Sequence, residues 1–484
     1  MIKPLKSVWF FVIVGFFLAI SVVAIPEEGF DIHIQMPTFA SLLTKDTVEY
    51  ADISELTDEF KDFDSLFNSI DTIQLDTTAG EKIILQDTSK ANATELSKSI
   101  YRLEFPKGNK ANLMKFFAKL KSKKPVRIMH YGDSQIEGDR MTSYIRNKLQ
   151  KKYGGTGPGL LPAIQPYESY FSVSQSNEGQ WSRYPIFGKV DTNVKHNNYG
   201  LLAAFSRFAP IVPDSLINDS ILYTASVSFE ESKLAYSSVR NFQRVKILYG
   251  NAKRPVDIKL SVDEQVVNSE TLAINTDFSV YTFDLTTPSK NLKIEFSGYD
   301  SPDIYGIALD GNSGVSVDNI GMRGSSGTVF RKMNYQHLIK CYDAMDVDLF
   351  ILQFGGNVMP YIKDSSQAIN YGRWFKSQLL TIRKARPNAS YIVIGPSDMS
   401  YKDGDKYVTY PFLELVRDEL RKATLAAGYA YWDMYEAMGG YNSMPSWVRS
   451  EPALAGSDYT HFTPRGAKLV ANMFYNALMI EAVK

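Results

Sequence analysis

Ser134 is far in the chain from Asp458 and His461, yet the three side chains could act together on one carbonyl. Ser134 sits in Gly132-Asp133-Ser134, where the apolar run Val126 to Tyr131 stops and a helical pattern of Met141, Tyr144, Ile145 and Leu149 begins. The run reads as a buried strand, and Gly154-Gly155 as the end of the helix. A serine on such a turn meets free backbone N–H groups and the positive end of the helix dipole, which stabilise a developing oxyanion. Its hydroxyl is a weak nucleophile at neutral pH and needs a base in reach, itself oriented by a third group.

The chain has five histidines, and one is placed for that work. His461 lies in Asp458-Tyr459-Thr460-His461-Phe462-Thr463-Pro464, just ahead of a helix with Leu469, Val470, Met473 and Phe474 on one face. Thr463 is a good N-cap and Pro464 a good first helical residue. Asp458, three residues before His461, can curl back to the imidazole and fix its tautomer. His33 falls in a polar region, His130 in the first strand pointing into the sheet, His196 in a Lys-His-Asn-Asn loop and His337 in a helical pattern. All four read as structural or solvated.

Donors for an oxyanion come after two further strand-like stretches. Leu349 to Phe354 runs into Gly355-Gly356-Asn357, whose amide can donate. Val315 to Ile320 opens into Gly321-Met322-Arg323-Gly324, where a glycine N–H can do the same. Taken singly, each glycine cluster is an ordinary turn.

In this order the pieces resemble the four-block signature of the SGNH (GDSL-type) hydrolases. The likeness covers residues 110–165 and 311–484. It implies Ser134 as nucleophile, the Ser134 N–H, Gly324 and Asn357 as oxyanion donors, His461 as base and Asp458 as its orienter, with no cofactor and no metal. Gln135 stands where the eponymous motif has leucine. HYGDSQIEGD, GGTGPGLLP, Gly439-Gly440 and DYTHFTPRGA are also similar to a bacterial envelope branch of that family. The branch includes peptidoglycan O-acetylesterases with a β-rich, carbohydrate-binding-like insert between the first two blocks, and polysaccharide O-acetyltransferases share the catalytic fold. The resemblance implies an acylated polysaccharide or peptidoglycan substrate. Three readings stay open: esterase, acyltransferase working with a membrane acyl donor, and non-catalytic glycan-binding protein.

Composition narrows the classes. The net charge is zero and the one lysine cluster, Lys119 to Lys124, is short, which argues against nucleic acid. A single cysteine, Cys341, excludes an intrachain disulfide and zinc spacing, and reads as a small buried hydrophobe. The 29 tyrosines and 28 phenylalanines suit a sugar-facing surface or β-sheet cores equally.

Five segments result. Residues 1–26, with Lys3 and Lys6 before the apolar Val8 to Ile25, read as an export signal or a retained membrane anchor, placing the rest in the periplasm or cell envelope. Residues 27–108 read as a polar spacer or small accessory region. Residues 109–169 and 311–484 alternate strand and helix, as a mostly parallel sheet covered on both faces requires, giving a three-layer α/β/α domain. Between them, 170–310 carries alternating runs such as Val245, Ile247, Tyr249 and Leu292, Ile294, Phe296. That pattern predicts an antiparallel, jelly-roll-like sandwich that either binds carbohydrate or simply shapes the cleft.

Overall fold

The computed structural model describes residues 102–482 apart from 123 and 169, together with 48–54, 56, Trp9, Ile13, Val14 and Phe16. Most of the expected leader and spacer, including His33, lies outside the described residues. Among the described residues no helix is long and apolar enough to cross a membrane. Residues Met1–Glu49 and Tyr50–Lys484 separate into two units, and the second carries all the sheets and the helices packed on them.

Five parallel strands form its central sheet: β1 (Val126–Gly132), β2 (Val315–Gly321), β3 (Val347–Gln353), β4 (Ser390–Ile394) and β5 (Ala430–Trp432). Every residue of β1, β4 and β5 is buried, which is why these segments read as continuous apolar runs rather than alternations. Their spatial order is β2-β1-β3-β4-β5. On one face pack α1 (Ala111–Lys121), α2 (Thr142–Tyr153) and the long C-terminal helix Pro464–Ala482, through Phe117, Ile145, Leu149 and Phe474. On the other, the helices Tyr335–Ala344, Ser365–Ala385 and Leu413–Ala426 bury Tyr342, Phe375 and Leu420.

One local expectation changes. Helix α2 begins only at Thr142, because Glu137–Asp139 forms a 3-10 turn in which Gly138 and Asp139 have φ of 64° and 68°. The helix N-terminus is therefore displaced from Ser134, and the amides near the serine belong to the turn itself. At the far end of α2, Gly155 and Gly157 have φ of 111° and 88°, and a Cβ there would lie 2.4 Å from Val315 and 2.2 Å from Leu309 backbone atoms. Only glycine lets the chain thread so closely between the two sheets.

The intervening chain forms two antiparallel sheets around a common apolar core. The outer sheet joins Val173–Gly179, Tyr223–Glu231, Leu292–Gly298, Val256–Val262 and Gln265–Leu272. The inner one joins Asn275–Ser289, Phe242–Ala252, Asp303–Asp310, Ala204–Arg207 and Ser182–Pro185, and Gly159–Leu161 pairs with Asp303–Asp310 as its sixth strand. Val245, Ile247 and Tyr249 face the outer sheet, while Leu248, Tyr305 and Phe205 join the core that holds Cys341 and Tyr342. The inner sheet is thus apolar on both faces, and every residue of Asp303–Asp310 is buried. Buried ion pairs stitch the regions together: Arg127 on β1 to Asp318 on β2 (2.6 Å) and to Asp310, and Arg146 to Asp139 (2.6 Å). Asp318 also accepts the Leu160 N–H at 2.8 Å.

Candidate active site

The strand order reverses direction between β1 and β3, and in open sheets of this kind the ligand crevice lies at such a point, beyond the carboxyl ends of the strands. Ser134 follows β1, Gly324 follows β2 and Asn357 follows β3. All three, with His461, line one cleft of about 570 Å³.

His461 sits in the loop before the C-terminal helix, which starts at Pro464 with Gly466 N–H bonded to the Thr463 hydroxyl at 3.2 Å. Its Nε2 is 2.8 Å from the Ser134 Oγ, and its Nδ1 is 2.7 Å from an Asp458 carboxylate oxygen. The other Asp458 oxygen accepts the His461 and Thr460 N–H groups at 3.0 and 3.1 Å. The Asx turn and the carboxylate–imidazole bond are made by one side chain at once. Partial burial works against ionisation of Asp458, but the hydrogen bonds from the His461 ring, its backbone and Thr460 outweigh it and hold the carboxyl below its ordinary range.

Of the three expected oxyanion donors, two are open and one is engaged. The Ser134 and Gly324 N–H groups make no hydrogen bond among the described residues, and Gly324 takes φ of 77°. Asn357 donates one amide hydrogen to the Ser325 carbonyl at 3.2 Å, and Asp133 also engages its side chain. Asp133 is buried behind the serine and accepts the Gln135 N–H at 3.0 Å. Desolvation pushes its carboxyl up to about 6 against the pull of Gln135, His461 and Asn357.

Two features that brace this arrangement go beyond the residues singled out from the sequence. Gln135 is buried, and its amide donates to the Thr460 carbonyl at 2.7 Å while its oxygen faces the Phe462 N–H at 3.5 Å. It ties the serine turn to the histidine loop on both sides of His461. From the solvent side, a hairpin of Ser400–Asp403 and Lys406–Thr409 lies on the same loop. Ser400 N–H donates to the Tyr459 carbonyl at 3.0 Å, and the Tyr407 and Tyr459 rings stack at 3.6 Å. The turn residues Gly404-Asp405 between tyrosine-containing runs are a hairpin signal that would have found it. Nothing local to Gln135 names its distant partners.

The other described histidines are elsewhere. His130 is buried in β1 between Thr142 (2.9 Å) and Gln353 (3.2 Å), and desolvation holds it neutral, down to about 3. His337 is buried beside Tyr305, and His196 pairs with Asp303 at 2.9 Å. Among the described residues no group of three or more His, Cys, Asp or Glu side chains could hold a metal ion.

No family model and no curated protein matches the chain. A solved structure of a peptidoglycan O-acetylesterase matches across 79% of this chain and 99% of its own, at 20% identity with a TM-score of 0.60. The chain shares that esterase's fold. A smaller match is a GDSL-like lipase from Parabacteroides merdae (17% identity, 34% of this chain and 74% of that one, TM-score 0.27). An acetyl xylan esterase from Geobacillus stearothermophilus matches to a similar extent (15%, 34% and 73%, TM-score 0.26).

Proposed function

We propose that this chain is an SGNH-type serine esterase that removes O-acetyl groups from a cell-envelope or extracellular carbohydrate. The single observation that carries the reading is the unbroken Ser134–His461–Asp458 hydrogen-bond chain opening into the cleft. The shared fold with a peptidoglycan O-acetylesterase supports the substrate class. In this mechanism the Ser134 Oγ attacks the acetyl carbonyl while His461 Nε2 takes its proton. The oxyanion sits among the Ser134 and Gly324 N–H groups and the Asn357 amide. His461 then gives the proton to the departing sugar oxygen, leaving acetyl-Ser134. Water, deprotonated by His461, releases acetate and restores the serine.

The jelly-roll reading of the insert is supported by the way the chain from Ala204–Arg207 onward crosses between the two sheets at every step but the Val256–Val262 to Gln265–Leu272 hairpin, and we assign it a glycan-holding role. Export rests on Lys3, Lys6 and the apolar run to Ile25. Acetate release from O-acetylated peptidoglycan or xylan by the wild type, and its loss in Ser134→Ala, tests the proposal. Full activity of Ser134→Ala sinks it. Release of acetate that does not depend on an added glycan acceptor separates the esterase from an acyltransferase using the same acyl-enzyme.

A further inference from the structure

One guanidinium at the lip of the cleft bears on the kind of sugar it takes. Arg323, the residue before Gly324, lines the same cleft as Ser134, with its side chain 64% exposed. Its guanidinium is nonetheless held rigidly. Two of its nitrogens donate to the two Glu137 carboxylate oxygens at 2.6 and 2.8 Å. Its plane lies over the Tyr167 ring, 5.2 Å from the centroid, and Tyr167 is itself fixed by donating to the Gly321 carbonyl at 2.7 Å. A guanidinium has five N–H donors, so most of the fork on Arg323 stays available to the cleft.

Glu137 does not neutralise this lip, because it is shared with Arg140 at 3.0 Å. A third guanidinium comes from the inner antiparallel sheet. Arg183 acts electrostatically on the same Tyr167 hydroxyl, and its side chain makes no hydrogen bond among the described residues. Its Nε is buried without a partner, its ring neighbour is Phe187 at 6.0 Å, and burial pulls its pKa down with no carboxylate opposing. The other acid near Arg323 is the exposed Glu168. Two guanidiniums, those of Arg323 and Arg140, thus share the one Glu137 carboxylate.

We propose that Arg323, stacked on Tyr167 and backed by Arg183, receives a carboxylate of the substrate, so that the enzyme deacetylates acidic sugars in preference to neutral ones. Planar, forked recognition of a carboxylate is what a pre-oriented arginine does best. The preference rests on the esterase reading and adds the charge of the substrate to it.

The test uses a matched pair, O-acetylated methyl glucuronoside and O-acetylated methyl glucoside, scored as kcat/KM for acetate release. The wild type is expected to favour the uronate at least tenfold. Raising NaCl from 0.05 to 0.5 M is expected to raise KM for the uronate alone. Arg323→Met is expected to cut the acidic-to-neutral ratio about tenfold through KM, Arg183→Met severalfold, and Arg323→Lys less than Arg323→Met. Equal wild-type rates on the two sugars, or a ratio unmoved by both methionine variants, overturns the charge proposal while leaving the esterase standing. No acetate from either sugar, nor from 4-nitrophenyl acetate, overturns both.

Discussion

The two sides of the catalytic contact are built differently. Ser134 emerges from β1, buried on every residue and paired on its two sides with β2 and β3. His461 and Asp458 lie on an irregular loop, with side chains 37% and 53% exposed. The serine side is positioned by a core, and the histidine side by discrete braces: Gln135 from within and the Ser400–Thr409 hairpin from outside. Where packing fixes a residue, many contacts share the task and single changes are felt mildly. Where a few hydrogen bonds and one ring stack do so, each is exposed to loss.

Breaking the contact itself has the largest expected effect. Ser134→Ala is expected to lower kcat about 10⁴-fold or more, measured as acetate release. Asp458→Asn, which leaves the loop in place but unsettles the imidazole tautomer, is expected to cost about 10³- to 10⁴-fold in kcat. Removing the inner brace sharpens the comparison: Gln135→Leu is expected to lower kcat about 10- to 100-fold, since an ångström of misplacement costs on that order, with KM little changed. Loss in KM alone would assign Gln135 to substrate binding instead. Tyr407→Ala, which removes only the outer stack, is expected to cost severalfold in kcat and about 1 kcal/mol of stability by denaturant titration.

The buried carboxyls act on stability rather than on rate, and gradually with pH. Asp133 and Asp398 are both pushed up to about 6, chiefly by desolvation, from an ordinary value of 3.8. A raised carboxyl stabilises the native state while protonated, so this contribution is full below 3.8 and is lost as pH climbs through about 6. Unfolding free energy is expected to fall over that window by roughly 2–3 kcal/mol for each group. Asp398, which accepts from Thr409 (2.8 Å) and Met444 (2.7 Å), anchors the hairpin, and Asp398→Asn is expected to flatten part of the slope.

How far the sequence reveals these features depends on the range of the interactions. The parallel strands are legible because burial on both faces writes an unbroken apolar run, as in Leu349 to Phe354. The strands of the insert are legible because Val245, Ile247 and Tyr249 alternate with other residues at a period of two. Ser134, Asp458 and His461 can be picked out by residue type, turn context and order along the chain. The start of α2 is not, because Gly138 and Asp139 take left-handed conformations that apolar periodicity does not encode. Gln135 and Arg323 stay silent because their meaning lies in partners hundreds of residues away or across the cleft, where no local rule reaches.

The inner antiparallel sheet, greasy on both sides, has a consequence for how the molecule comes apart. Leu248, Tyr305 and Phe205 share a core with Cys341 and Tyr342 from the helix behind it. Excising the insert would strip one wall from that core and leave an apolar scar on what remained. The insert and the α/β layers therefore cannot melt as separate modules, and calorimetry should record a single endotherm for the two together.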